Sequence, residues 1–304
     1  MSSFDVPSLM NALREHPVPL EHMCELRDVL VKQSSTPNLL FSACRDPEQD
    51  GSELADEELA TILTGVSLGQ WPMGVAAVDA WVERLIERRP SCVLEFGSGV
   101  STVVSATILR RIHGDQQVRV FSVEQGEDAG AETVARLEKN GLAGLVSMHI
   151  APLKDAVVDV FSGSGYGTTP EELAQFIGDS RPEMVMVDGP FGKYGARFST
   201  LPLVHALLAT DAEIWMDDAL RDSELAIARW WHELGYIRDP ELQWTAKGIL
   251  RAQRGSSPKQ YATAARSMGA GTMSGLVAEY ALFKLRVQAA RANKTGLQPP
   301  FMTT

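Results

Sequence analysis

Residues 92–102 read Cys-Val-Leu-Glu-Phe-Gly-Ser-Gly-Val-Ser-Thr, and this stretch decides the fold. Its first five residues form the short apolar run of a strand buried on both faces. Gly97 and Gly99 then interrupt it with the residue type that tolerates positive φ, and residues 101–112 resume at helical apolar spacing. Strand, tight glycine turn and helix in that order open a parallel α/β sheet. The rhythm continues, with strands expected at 118–123, 145–150, 184–187 and 213–216 and helices at 129–139, 201–209 and 224–234. After the third strand, residues 162–169 read as a Gly/Ser-rich loop. Thr169-Pro170-Glu171-Glu172 supplies an N-cap, a first-turn proline and a capping-box glutamate for a helix running to about residue 177. These units predict a doubly wound, mostly parallel sheet.

Upstream, residues 6–16, 19–33 and 56–63 show helical spacing, and a helix over 73–88 leads into Pro90. Downstream, 236–237 and 248–251 read as short strands that add an antiparallel edge. Beyond Ser256-Ser257-Pro258, an apolar stripe through Leu276, Tyr280, Phe283 and Val287 has helical spacing, although residues 278–286 also alternate as a strand would. The expected organisation is a helical lid or dimerisation segment over 1–70, the sheet domain over 71–254 and a C-terminal extension over 255–304.

The chain has 304 residues, 44% of them hydrophobic and 22% charged, enough to bury a core without a disulfide or metal staple. Against 28 Lys+Arg stand 39 Asp+Glu, a net charge of −11, so no broad basic face awaits nucleic acid or an anionic membrane. Cys24, Cys44 and Cys92 are odd in number and lack C-x-x-C spacing, which fits a reducing cytoplasm better than a disulfide framework or zinc site. The charged start MSSFDVPSLMNALREH and the lack of any long apolar run fit a soluble cytoplasmic protein. A small molecule is the expected partner, and a homodimer the expected assembly.

In open α/β sheets the ligand sits at the carboxyl ends of the strands, and four of these five strand ends carry acids: Glu95, Glu124, Asp188, and the pair Asp217-Asp218. Gly97 and Gly99 allow a ligand close to the backbone, and the N-terminus of the helix after them can receive a carboxylate. Glu124, 25 residues after Gly99, suits a vicinal diol because an ionised carboxylate accepts two hydrogen bonds side by side. The simpler readings are a Glu95 carboxylate that satisfies backbone N–H groups of the glycine loop and a Glu124 that faces solvent.

In its acidic residue before Gly-x-Gly and its second acid ending the next strand, the chain resembles the class I S-adenosylmethionine-dependent methyltransferases over about residues 70–251. The resemblance implies a Rossmann-like methyltransferase fold with S-adenosylmethionine held by Glu95, Gly97, Ser98, Gly99, Ser101, Thr102, Glu124 and Asp188. Trp71 would cover the adenosine, unless it is simply a core tryptophan.

In the catechol, caffeoyl-coenzyme A and macrolide-sugar O-methyltransferase branches, an aspartate ends strand four and an Asp-Asn or Asp-Asp pair ends strand five, together holding magnesium. Strand end for strand end, Asp188, Asp217 and Asp218 take those places, and three carboxylates suit a hard divalent cation. Gly189-Pro190 departs from those branches; Asp-Gly-Pro, with Asp-Asp-Ala and a following Arg221, is similar to a group of bacterial methyltransferase-like proteins. Arg221 could pair with an aspartate and replace the metal, and one of Asp217 and Asp218 could instead cap the next helix with Asp222. Lys193 is either a base or substrate clamp or a surface charge.

The expected activity is methyl transfer to an oxygen of a small molecule, with Asp188, Lys193 and Asp217 as catalytic residues and magnesium assistance. Two alternatives remain: an NAD(P)-dependent oxidoreductase using the same glycine turn, although Thr102 stands where its motif has a third glycine, and a non-catalytic methyltransferase-like binding module.

Overall fold

The computed structural model describes residues 15–33, 38–114, 118–158, 161–192, 195–256 and 258. Lys193, most of the expected helix over 6–16 and the apolar stripe after residue 258 lie outside the described residues.

Among the described residues one eight-stranded sheet organises the fold. In chain order its strands are β1 (Val18–Pro19), β2 (Cys92–Phe96), β3 (Arg119–Glu124), β4 (Val146–Ile150), β7 (Met184–Val187), β8 (Glu213–Met216), β9 (Ile237–Gln243) and β10 (Ile249–Arg254); β5 (Leu153–Val158) and β6 (Phe161–Tyr166) form a separate hairpin. Across the sheet the order is β1-β9-β10-β8-β7-β2-β3-β4. The five strands from β8 to β4 are mutually parallel, and β10 runs antiparallel to both its neighbours. The doubly wound sheet and its antiparallel addition are therefore as the sequence implies.

Alternation along the central strands explains why they read as unbroken apolar runs. Leu94, Phe96, Val185, Val187, Ile214 and Met216 point into one core, whereas Val93, Val120, Met184, Met186 and Trp215 point into the other. The first core is covered by helices α1 (Leu20–Gln33), α5 (Pro170–Ile177) and α6 (Asp222–Glu233), and the second by α2 (Val75–Arg88), α3 (Val100–His113) and α4 (Glu127–Lys139). Each fully buried Val, Leu or Met contributes roughly 1.5–3 kcal/mol relative to exposure. Trp81 and Trp215 meet edge to face at 5.2 Å in the second core, and the Trp81 indole N–H donates to Ser105 at 3.0 Å.

The described residues before 70 share this core. Val18 pairs with Leu242, and Leu20, Met23 and Leu26 of α1 pack into the first core. Asp222, at the start of α6, accepts the Asn38 backbone N–H at 2.9 Å and the Arg27 guanidinium at 3.4 Å.

Two local expectations need correction. The Gly/Ser-rich loop over 162–169 is largely β6, paired residue for residue with β5 from Leu153↔Tyr166 to Val158↔Phe161; its glycines and serines hide a hairpin that needs only backbone pairing. The helix over 201–209 is instead a short helix, Thr200–Val204, between 3-10 turns at Ala196–Ser199 and His205–Leu207. The capping box does form: the Thr169 hydroxyl accepts from Glu172 N–H at 3.2 Å and Glu172 accepts from Thr169 N–H at 3.0 Å. Among the described residues no helix is long and apolar enough to cross a membrane.

Candidate active site

The winding of the sheet reverses between β2 and β7, the place where open α/β sheets bind ligands at their carboxyl ends. A cleft of about 620 Å³ opens there, walled by the glycine loop, Glu124, Asp188 and Arg221. That volume suits a nucleoside-sized ligand.

Two glycines make the floor. Gly97 has φ +95°, and a Cβ on it would come within 2.8 Å of the Gly189 nitrogen. A Cβ on Gly189 would in turn lie 2.8 Å from Gly97 Cα and 2.4 Å from the Tyr166 hydroxyl. The N–H groups of Asp188 and Gly189 both donate to the Phe96 carbonyl, at 2.9 and 2.6 Å. The glycine of Asp-Gly-Pro is thus the counterpart of the first glycine of Gly-Ser-Gly: two backbones touch where side chains would hold them apart. The Gly189-Pro190 peptide is cis.

Beneath the loop lies a buried polar layer. Thr102 accepts the Gly99 N–H at 2.9 Å and donates to Glu95 Oε1, which also accepts from Ser122 at 2.9 Å. Burial pushes the Glu95 carboxyl up to about 7, with the Thr102, Ser122 and Ser101 hydroxyls pulling the other way. Glu95, Ser101 and Thr102, expected to hold a cofactor, are buried and do not wall the cleft. They brace the start of α3 from behind, and Glu95 is bonded to hydroxyls rather than to loop N–H groups. A third glycine in a dinucleotide motif serves close helix packing; here that position carries a hydroxyl with two partners, which disfavours the nicotinamide alternative.

Ser98, Gly99 and Glu124 do face the cleft. Glu124 Oε2 accepts the Ser98 N–H and hydroxyl at 2.7 and 2.9 Å, and Oε1 accepts the Gly126 N–H at 2.8 Å. A carboxylate has about four acceptor positions, so one remains on Oε1 for a ligand hydroxyl. Tyr166 also lines the cleft, its buried hydroxyl without a partner and held protonated by burial and the surrounding acids. Trp71 is not a core residue: it is 73% exposed and meets the 65% exposed Phe191 edge to face at 4.8 Å on the cleft wall.

At the ends of β7 and β8, Asp188, Asp217 and Asp218 converge, one oxygen of each lying within 4.8 Å of the others. Their surroundings are already cationic. The Lys247 ammonium lies 3.0 Å from Asp217 Oδ2 and 3.2 Å from Asp218 Oδ1, as ion pairs off the line of a good hydrogen bond, and donates to the Pro72 carbonyl at 3.3 Å. Arg197 donates to the carbonyls of Asp217 and Asp188, each at 2.8 Å, and to Asp218 Oδ2 at 3.2 Å. It also lies 3.4 Å from Asp188 Oδ1 and 3.7 Å from Glu224 Oε1. Arg221 reaches Asp218 Oδ2 at 2.7 Å. Asp217 is fully buried and does not wall the cleft, so its expected catalytic contact is replaced by a supporting position. Nor does either aspartate cap α6, whose N-cap residue is Arg221.

These charges separate the acids. Burial and Asp217 push Asp188 up to about 8 against the pull of Arg197, although its side chain keeps 20% of its surface exposed. Burial raises Glu224 to about 7, again against Arg197. Asp218 moves down despite its burial, because Arg197, Lys247 and Arg221 all face it. Lys247 stays charged despite its burial, because Asp217, Asp218 and Asp188 face it.

Arg197, Lys247 and Tyr166 were not singled out by sequence. Lys247 carries the only usable signal, a charge set between Trp244-Thr245-Ala246 and the apolar pair Ile249-Leu250 that opens β10. Lys193 falls outside the described residues.

No family model and no curated protein matches the chain. Among solved structures, the chain is similar to the O-methyltransferase TomG from Streptomyces achromogenes, involved in tomaymycin synthesis and in complex with SAM, at 17% identity and TM-score 0.48 over 66% of this chain and 91% of that one. It is also similar to the SAH-bound methyltransferase PaMTH1 from Podospora anserina, at 13% identity and TM-score 0.49 over 66% and 87%. A third is an O-methyltransferase from Bacillus cereus in complex with SAH, at 15% identity and TM-score 0.47 over 65% and 89%. At these identities and TM-scores the likenesses carry no chemistry, which rests on the residues described above.

Proposed function

We propose that the protein is an S-adenosylmethionine-dependent methyltransferase acting on an oxygen of a small molecule. The observation that carries this reading is one cleft at the switch point with a nucleoside-binding end and a titratable acid side by side. At one end Gly97 and Gly99 admit close backbone approach, Glu124 retains an acceptor position and Tyr166 offers an unused donor. At the other stands Asp188 on its rigid Arg197 support. An unpartnered buried hydroxyl is costly in isolation, and a ligand acceptor in the cleft would satisfy it.

The bound cofactor would supply an electrophilic methyl on a sulfonium. Glu124 would accept a ribose hydroxyl, Gly97 to Gly99 would receive the polar chain, and Trp71 would lie against the exposed side of the ligand. Asp188 would accept the proton of the acceptor hydroxyl, and its value near 8 suits a base that works close to neutral pH. Holding the acceptor beside Asp188 contributes by orientation as well, since alignment of reacting groups is worth several kcal/mol. No step is assigned to a divalent ion, because Lys247, Arg197 and Arg221 already compensate the acids that would bind it.

Calorimetric titration of the ligand-stripped protein with S-adenosylhomocysteine tests the reading. Micromolar binding, weakened about tenfold or more by Glu124→Ala as a lost charge-assisted hydrogen bond requires, is expected. No heat with S-adenosylhomocysteine but binding of NADH would overturn it in favour of the oxidoreductase alternative.

A further inference from the structure

We propose that the Lys247 ammonium occupies the place a divalent cation would take among the strand-end aspartates, so that this centre runs on a resident protein cation and takes up no metal. The inference deepens the methyltransferase reading for the same site, but its evidence and its test are independent of cofactor binding.

The donor set alone would suit a hard cation, three carboxylates with oxygens within 4.8 Å of one another. What sits among them decides otherwise. Lys247 is 1% exposed and reaches in from the turn between β9 and β10, with its ammonium 3.0 and 3.2 Å from Asp217 and Asp218. Its turn is fastened to the aspartate turn by backbone: Ala219 N–H donates to the Gly248 carbonyl at 2.9 Å and Leu220 N–H to the Lys247 carbonyl at 3.3 Å. The Lys247 backbone is therefore held against the chain that follows Asp218, and its buried side chain points from there to the aspartates. Asp218 itself sits at φ +61°, a conformation aspartate tolerates better than most residues, which presents its carboxylate between Lys247 on one oxygen and Arg197 and Arg221 on the other.

Charge counting agrees. Asp188, Asp217 and Asp218 bring at most three negative charges, and Lys247, Arg197 and Arg221 already bring three positive ones. A dication added to this compensated, buried set would face three like charges held within salt-bridge distance of its ligands, where Coulomb repulsion is weakly screened. Ammonium also differs from magnesium in consequence. Magnesium is exchangeable and would touch the acceptor oxygen, whereas Lys247 is tethered and buried, so its task is to position Asp217 behind the cleft and Asp218 on its wall.

The test is a Mn2+ titration followed by the electron paramagnetic resonance signal of the free ion, with S-adenosylhomocysteine affinity measured separately. Wild-type protein is expected to leave the free Mn2+ signal undiminished at millimolar ion and to keep its S-adenosylhomocysteine affinity in EDTA. Lys247→Met, which keeps an unbranched apolar stem one atom shorter and removes the charge, is expected to gain Mn2+ binding by more than about tenfold, as loss of a facing charge in a poorly screened site allows. Micromolar Mn2+ binding by the wild type, abolished by Asp217→Asn, would overturn the proposal, as would a folded Lys247→Met that gains nothing. If Lys247→Met fails to fold, the wild-type titration decides alone. Failure to bind S-adenosylhomocysteine would remove the cofactor reading and leave this one standing.

Discussion

Arg197→Met isolates the support on which the acids rest. The guanidinium is 6% exposed and contacts two backbone carbonyls and three carboxylates from β7, β8 and α6. Methionine fills much of the same volume but satisfies none of them. Removing one partner from a buried ionic network costs about 3–5 kcal/mol, because the remaining charges lose their compensation. For a domain of this size each kcal/mol lowers Tm by about 2–4 °C, so a fall of about 6–20 °C is expected. The loss has a pH signature. Asp188 and Glu224, already raised to about 8 and about 7, rise further without Arg197, so they are neutral at low pH and need no cation there. The part of the deficit owed to Asp188 and Glu224 should therefore be absent near pH 5 and grow as pH rises through 7 and 8, on top of a pH-independent part from Asp218, which is ionised throughout, as followed by thermal denaturation from pH 5 to 9. Adding Glu224→Gln should return part of the loss, a coupling of about 0.5–3 kcal/mol. A variant melting within about 2 °C of wild type at pH 8 would refute the claim that Arg197 supports the centre.

Glu95 gives a second pH effect. Its folded value of about 7 stands above the ordinary 4.5, so the native state holds a proton that the unfolded chain has lost; the Glu95 contribution to stability is fully present below pH 4.5 and is lost as pH rises through 7, by on the order of 3 kcal/mol. Glu95→Gln should flatten that fall in denaturant titrations, and an unchanged slope would count against a protonated Glu95. Gly97→Ala combines φ +95° with a clash at 2.8 Å against backbone and should cost about 1–3 kcal/mol together with S-adenosylhomocysteine affinity. Gly99→Ala, at φ +145° with open space around it, should be milder by calorimetry and melting.

The parallel sheet was legible because each strand, buried on both faces, must be an apolar run closed by a polar end, and those ends carried the acids. The glycine loop, Glu124 and Asp188 could be placed on the cleft for the same reason. The hairpin of β5 and β6 was not legible: glycine and serine give no side-chain alternation to read, and with the hairpin went Tyr166. Arg197 and Lys247 were missed for another reason. Their roles arise from tertiary contact with strand ends 9 to 30 residues away in sequence, and a lone arginine or lysine looks the same in a sequence whether it faces solvent or a buried carboxylate. Trp71 and Asp217 show the converse. A tryptophan more readily read as core is exposed, and an acid read as catalytic is sealed behind the cleft.

The order of the acids and their counter-charge along the chain bears on how the protein is made. Asp217 and Asp218 close β8, but the cation that faces both is Lys247, 29 residues after Asp218, at the entrance to β10. A ribosome therefore delivers Asp217 well before the ammonium that pairs with it, and a nascent chain ending inside β9 has Arg197 and Arg221 for Asp218 but not yet Lys247 for Asp217. Insertion of β10 between β8 and β9 completes the sheet and neutralises the centre in the same event. The centre beside the cleft thus has its full set of charges only when β10 has been synthesised, and chains terminated inside β9 should be recognisable to proteolysis by the open edge of β8.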